Sequence, residues 1–209
     1  MSYPSRRQEW MNMKKINILK TNKCQFGYIK RQKKLHLIIT IIGLSIIAII
    51  FITGMIIYGS KNNNLTILAS LCALPFAKTA SDLIMFLPHK SASKEIFDSV
   101  EQRNKYYITN YDCIFTSKEH AMPIKAVINT DNAIFAYTDS VKVETEHFEL
   151  TLKTFQKKAG NNITVTLYKD KNKFFKKIEY LNSVKYNELT KESKEDMEKI
   201  NKSMKAMCL

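Results

Sequence analysis

The feature that most limits how this chain folds is an uncharged apolar run at residues 37–58, LIITIIGLSIIAIIFITGMIIY. As an α-helix rising about 1.5 Å per residue, the run is about 33 Å long, enough to cross a hydrocarbon core of about 30 Å. A signal peptide has a shorter apolar region that begins nearer the start of the chain. The run therefore predicts a retained transmembrane helix at 37–58.

A second apolar stretch follows at residues 65–87, after the turn-forming segment GSKNNN, so we predict a transmembrane hairpin over 35–88. This stretch contains Lys78 and Asp82, which are spaced i, i+4 and can pair on one helix face. Two interpretations stay open. Either the Lys78 stem reaches the membrane surface and the end of the stretch lies in the interface, or the pair contacts a partner's membrane helix.

Positive charge is concentrated in the N-terminal arm at 1–34, which carries ten of the 33 Lys and Arg residues and one acidic residue. Between the two apolar stretches there is a single lysine, Lys61. Because basic residues are retained on the cytoplasmic side, this asymmetry predicts that both chain termini are cytoplasmic and that the Asn-rich turn is outside. An arm that ends against a membrane span favours contact with anionic lipid headgroups over nucleic-acid binding.

Helical and strand periodicities alternate in the rest of the chain, which predicts a cytoplasmic α+β domain at 89–185 and a charged C-terminal helix at 186–209. The predicted order is α-β-β-β-α-β-α with a mixed sheet. The C-terminal helix has a thin apolar stripe for packing on the domain or on another subunit. Two of the predicted faces are Ile124, Ala126 and Ile128 on one strand, and Phe148, Leu152, Phe155 and Ala159 on one helix.

Several residues are typical of the ends of these elements. Ser91 or Ser93 can cap the first helix of the domain, and Gly160 can close the second. Thr145 is the predicted cap at the start of that second helix. The first strand is predicted to be irregular near Asp112, because Asn and Asp interrupt an otherwise aromatic and β-branched run.

Catalytic and metal-binding motifs are missing from the sequence. It contains no GxSxG, P-loop, GxGxxG or HExxH, and its four cysteines have no CxxC or metal-ligand spacing. We interpret them as unpaired reduced thiols, with Cys113 in the core rather than in a catalytic pair with His120 or His147. The loose set of His120, His147, Glu144 and Glu146 is not interpreted as a metal site. No cofactor and no metal are predicted.

A first resemblance lies in the membrane region. The residues Gly27-Tyr28-Ile29-Lys30 with Gln32-Lys33-Lys34, and Leu74-Pro75 with Ala77-Lys78, resemble a group of two-span membrane proteins of low-GC Gram-positive bacteria. This resemblance implies a location in the bacterial cytoplasmic membrane and no particular activity.

A second resemblance covers residues 91–181, whose element order is similar to the core of restriction-endonuclease-like nucleases. In that family an acidic residue stands at the start of one hairpin strand, and the next strand carries the motif Glu or Asp, any residue, Lys. The carboxylates hold Mg²⁺ and the lysine helps to activate the attacking water. Asp131 matches the first acid, whereas Asp139 and Lys142 have the wrong spacing. The resemblance therefore implies either a membrane-tethered nuclease or a degenerate relative that has lost the metal site and binds nucleic acid.

Three functions from different classes remain. The first is a membrane-anchored, non-enzymatic binding or regulatory protein with a protein partner or self-association. The second is the tethered nuclease or nucleic-acid binder, with Asp131, Asp139 and Lys142 as its residues. The third is an accessory subunit of a larger membrane complex, for which the hairpin matters more than the domain.

Overall fold

The computed structural model of the protein describes residues 23–117, 121–184 and 191–209. Most of the basic arm, and His120, lie outside the described residues. The described residues form two compact units. One consists of residues 29–90, and the other joins residues 23–28 to the described part of 91–209. The C-terminal helix, predicted as a separate segment, belongs to the second unit.

The first unit contains two long helices, α1 (Tyr28–Tyr58) and α2 (Asn64–Phe86). Both are long and apolar enough to cross a membrane. Asn63 caps α2, because its side-chain oxygen accepts from the Thr66 amide at 2.9 Å. α2 continues through Pro75 without a break. The predicted helical hairpin is therefore present in the structure.

The two helices of the hairpin contact each other at the C-terminal end of α2 and near its middle. Lys33 Nζ donates to the Leu87 carbonyl oxygen at 2.7 Å, and the His36 and Phe86 rings stack with centroids 5.8 Å apart. Further along, the Phe76 ring lies against Gly43, where an added Cβ would overlap it. The absence of a side chain at Gly43 is thus what allows this close approach.

Replacing Gly43 with leucine is expected to destabilise the hairpin by about 1–3 kcal/mol, because the new side chain and the Phe76 ring need the same space. Thermal unfolding of the full-length protein in detergent, followed by circular dichroism, measures the effect. Ala48→Leu is the matched control, since Ala48 is exposed on the same helix. Equal midpoints for the two variants would show that the helices do not pack at Gly43.

The second unit is an α+β domain with a mixed sheet, as predicted. Its elements follow the predicted order: α3 (Lys94–Arg103), β1 (Ile108–Thr116), β2 (Ala121–Asn129), β3 (Ala133–Tyr137), α4 (Thr145–Lys158), β4 (Thr164–Tyr168), α5 (Lys171–Val184) and α6 (Lys191–Ala206). The strand order is β1-β2-β3-β4. The first three strands are antiparallel, and β4 is parallel to β3.

Helices cover both faces of this sheet and enclose two cores. The first core contains residues of α4 and α6, among them Phe148, Leu152, Ile200 and Met204. The second core lies mainly with α3 and α5 and contains residues such as Val100, Phe174 and Ile178. The apolar stripe of α6 packs on the domain, which is one of the two predicted outcomes.

The predicted helix ends are confirmed in part. Ser93 caps α3 by accepting from the Ile96 amide at 3.2 Å. Gly160 follows α4 with a φ of +81°, a conformation that glycine adopts at little cost. Thr145, however, is the first helical residue of α4, and the capping position belongs to Glu144.

One predicted strand face is wrong. Ile124 packs in the first core, whereas Ala126 and Ile128 pack in the second. The reversal occurs where β1 was predicted to be irregular: Asp112 has a φ of +52°, and the register skips Asp112 and Lys125 between the pairs on either side of them. Local alternation does not carry across a residue with left-handed backbone.

One predicted helix face is also partly wrong. Phe148 and Leu152 are buried on α4, but Phe155 is only half-buried and Ala159 is exposed. The buried residue at the end of the stripe is Gln156, whose side-chain oxygen accepts from Asn161 at 2.8 Å and from Ser203 at 2.7 Å. A polar residue replaces an apolar one here because α6 supplies the hydrogen-bond partner.

A candidate site of three buried cysteines

Three cysteines from distant parts of the chain meet inside the second unit. Cys24 precedes α1, Cys113 lies in β1 and Cys208 follows α6. Their sulfur atoms all lie within 4.8 Å of one another, and all three residues are buried. The structure records them as free thiols. We call Cys24, Cys113 and Cys208 the thiol cluster.

Cys24 lies in the segment of residues 23–28, which leads into α1 and which we call the entry segment. The Cys24 backbone is left-handed, with a φ of +62°, a conformation that costs a non-glycine residue about 1–3 kcal/mol. Its carbonyl oxygen accepts from the Tyr111 amide at 3.0 Å. Lys23 Nζ donates to the Cys208 carbonyl oxygen at 3.0 Å. These bonds fix the entry segment between β1 and the chain end.

Cys113 owes its position to the reversal at Asp112. Tyr111 packs in the second core, and Cys113, two residues later, packs in the first. Without the left-handed residue between them, both side chains would point to the same face of the sheet. The irregularity in β1 is therefore what directs the Cys113 sulfur towards Cys24 and Cys208.

Cys208 is placed by a short pairing of the chain end with β1. It forms an isolated antiparallel bridge with Phe115, and the Leu209 amide donates to the Ile114 carbonyl oxygen at 3.0 Å. The Cys208 sulfur also donates to the Met204 carbonyl oxygen at 3.5 Å. The last residues of the chain thus close the thiol cluster.

The surroundings of the cluster shift the pKa values of its members in opposite directions. The neighbouring thiols of Cys113 and Cys208, with the charges of Lys205 and Lys23, lower the pKa of Cys24 in spite of its burial. Burial raises the pKa of Cys113 above its usual value.

Asp112, next to Cys113, fixes both chain segments that flank the hairpin. Its carboxylate oxygen accepts from the Ala92 amide at 2.6 Å, and it also accepts from the Gly27 amide and the Ser91 hydroxyl. Burial raises the pKa of Asp112 in spite of these bonds. The entry segment and the start of 91–209 are therefore held at one buried carboxylate.

The nuclease candidates are not brought together. Asp131 precedes β3, whereas Asp139 and Lys142 follow it, so a strand of five residues, about 17 Å long, separates the acids. Asp139 is exposed and pairs with Lys125, with Asp139 Oδ1 lying 3.6 Å from Lys125 Nζ. Lys142 is exposed as well. Two acids at opposite ends of a strand do not share one Mg²⁺ ion.

Within the described residues, Lys78 and Asp82 do not form the predicted pair, and His147, Glu144 and Glu146 do not converge on one site. Lys78 is exposed and Asp82 is half-buried on α2, and these two described side chains form no ion pair with each other. His147 Nε2 lies 3.3 Å from Ser117 Oγ, while Glu144 and Glu146 are exposed. Among the described residues, the metal-ligand group is the thiol cluster instead.

Sequence spacing gave no sign of the thiol cluster, because its members lie near the start, in the middle and at the end of the chain. Only two local signals bear on it: the irregular strand before Cys113, and a cysteine next to the last residue. Comparison of the chain with protein-family models, curated proteins and solved structures finds no match. Function is therefore inferred from the geometry of the cluster.

Proposed function

We propose that the protein is a membrane-anchored, non-enzymatic regulatory protein whose α+β domain binds a ligand at the thiol cluster and acts on a protein partner. The observation that carries this proposal is the meeting of three buried sulfurs within 4.8 Å, one of them in the entry segment of α1. A ligand held by all three cysteines would control how firmly that segment is attached to the domain.

The helical hairpin supports the membrane part of the proposal. Both helices have the length and composition to cross a bilayer, and large apolar side chains such as Ile49, Ile56 and Leu74 are exposed along them. Water disfavours such surfaces, whereas lipid accommodates them. The charge asymmetry around α1 favours a domain on the cytoplasmic side and an arm against anionic headgroups.

The attachment of the entry segment supports the regulatory part. Cys24 and Gly27 are bound to the domain through the thiol cluster and through Asp112, and the next residues continue as α1. A switch needs a local contact with two states that a ligand biases. The entry segment is suited to this, because one residue of the thiol cluster lies in it and because it is covalently continuous with the hairpin.

The test compares partner capture by three forms of the full-length protein expressed in its membrane: wild type, a variant with Cys24, Cys113 and Cys208 all replaced by serine, and Cys72→Ser. Cys72 lies on α2, away from the cluster in sequence and in a different unit. After cross-linking in cells, the protein is captured from membranes and its partners are quantified by mass spectrometry.

We expect one stoichiometric partner, recovered in equal amounts with wild type and with Cys72→Ser. With the triple variant the amount of recovered partner is expected to change about fivefold or more, which is the lower end of ordinary coupling between sites. Equal membrane levels and equal protease resistance of the three forms exclude misfolding as the cause. Unchanged partner recovery with a correctly folded triple variant would contradict the regulatory role.

A further inference from the structure

We propose that the thiol cluster binds one thiophilic metal ion through three cysteine sulfurs, and that Cu(I) is the ion it fits. This inference rests on the proposed function, in that it names the ligand of the same site. On binding, Cu(I) forms bonds to the sulfurs of Cys24, Cys113 and Cys208, and the protons of the thiols are released to solvent.

The distances between the sulfurs suit a single ion at the centre of the cluster. With metal–sulfur bonds of about 2.3 Å, three sulfurs around one ion in a plane lie about 4 Å apart. In the structure all three pairs are within 4.8 Å, so binding requires shifts of less than about 1 Å. Rotation of cysteine side chains supplies shifts of this size without moving the strands.

The number of ligands distinguishes the ions. No fourth His, Cys, Asp or Glu joins the group among the described residues, and all three cysteines are buried from water. Structural zinc sites are almost always four-coordinate, so three sulfurs alone leave Zn²⁺ one ligand short. Cu(I) is soft and is selected by thiolate and thioether sulfur. A three-sulfur site therefore favours Cu(I).

The core that contains the cluster also contains soft side chains. Met122 and Met204 are buried in this core, and Met207 packs against it. Met204 is one helical turn before Cys208, which bridges to Phe115. Thioether sulfur is a ligand and neighbour that suits Cu(I) and not Zn²⁺. The methionines thus strengthen the assignment to the softer ion.

A lysine places positive charge beside the negative charge of a Cu(I)–thiolate site. Lys23 Nζ donates to the Cys208 carbonyl oxygen at 3.0 Å, so its charge lies next to the cluster. A buried anionic site without such neighbours would be strongly destabilised. Lys23, in the entry segment, therefore belongs to the surroundings of the site as well as Cys24.

The experiment titrates the reduced full-length protein in detergent with Cu(I) under anaerobic conditions, in competition with a chromophoric Cu(I) chelator. We expect one Cu(I) per chain. Replacing Cys24, Cys113 or Cys208 singly with serine is expected to weaken binding by more than about a hundredfold, since even outer-shell partners cost 10- to 100-fold. Cys72→Ser is expected to bind as wild type does.

X-ray absorption spectroscopy of the copper-loaded wild type identifies the atoms bound to copper directly, so this test does not depend on variants that could fold poorly. Three sulfur neighbours at about 2.3 Å, the usual metal–thiolate distance, support the site. One or two sulfur neighbours, or nitrogen and oxygen neighbours, would overturn it. A parallel titration with Zn²⁺ tests the ion, and tighter binding of Zn²⁺ than of Cu(I) at matched competitor strength would overturn the assignment to copper.

Failure of this inference is distinguishable from failure of the proposed function. If no metal binds but partner recovery still depends on the three cysteines, the ligand is not a metal ion and the regulatory role remains. If Cu(I) binds through three sulfurs but partner recovery is the same with the triple serine variant, the metal site stands and the regulatory role does not.

Discussion

Replacing Phe148 with alanine is expected to lower the free energy of unfolding of the domain by about 3–5 kcal/mol, the usual cost of removing a buried phenylalanine ring. Phe148 is fully buried on α4, and its ring meets that of Phe115 edge to face, with centroids 5.3 Å apart. Because Phe115 also forms the bridge to Cys208, the cavity left by Phe148 lies in the core that contains the thiol cluster.

The measurement is pulse proteolysis of the full-length protein in detergent over a series of urea concentrations, which reports the fraction of domain unfolded. Leu150→Ala is the matched control: Leu150 is on the same helix and 67% exposed, so its replacement is expected to change stability by no more than about 0.5 kcal/mol. Similar midpoints for Phe148→Ala and Leu150→Ala would contradict the packing of α4 on the sheet.

Replacing Asp112 with alanine is expected to lower the free energy of unfolding by about 2–4 kcal/mol. Two losses add. Alanine in a left-handed conformation costs about 1–2 kcal/mol, and the hydrogen bonds to a charged group are worth about 1.5–3 kcal/mol each. Removing a buried carboxylate relieves part of its desolvation, which keeps the total below the sum of the losses.

The same change is expected to release the entry segment. Hydrogen exchange at the Gly27 and Ala92 amides, which donate to Asp112, is expected to speed up by at least about tenfold in the variant. Asp112→Asn is the control, because asparagine tolerates left-handed backbone and keeps one acceptor oxygen. Equal exchange at both amides in wild type and Asp112→Ala would show that this carboxylate does not hold the flanking segments.

The element order was predictable from the sequence because local patterns determine it. Periodicities of 3.6 and 2.0 residues separate the helices from the strands, and Ser93 and Gly160 mark helix ends by their own chemistry. The apolar stripe of α6 was predictable for the same reason, because its residues lie three or four positions apart along the helix.

The features that local patterns did not predict depend on contacts between distant segments. The sequence marks β1 as irregular near Asp112, but the sheet faces of Ile124 and Cys113 follow only from the way β1 pairs with β2. Burial of Gln156 requires Ser203 on α6. The thiol cluster requires three such contacts at once, and single-sequence spacing contains no information about them.

The measurement that tests the thiol cluster most directly is mild oxidation of the native full-length protein in membranes, followed by mass spectrometry of the linked peptides. With sulfurs within 4.8 Å, small side-chain movements bring a pair to bonding distance. We expect peptides that link Cys24 to Cys113 or to Cys208, and none that contain Cys72. Oxidation of the urea-unfolded chain verifies that links to every cysteine are detectable. If native Cys24 links only to Cys72 or to nothing while the unfolded chain links freely, the three cysteines do not form one site.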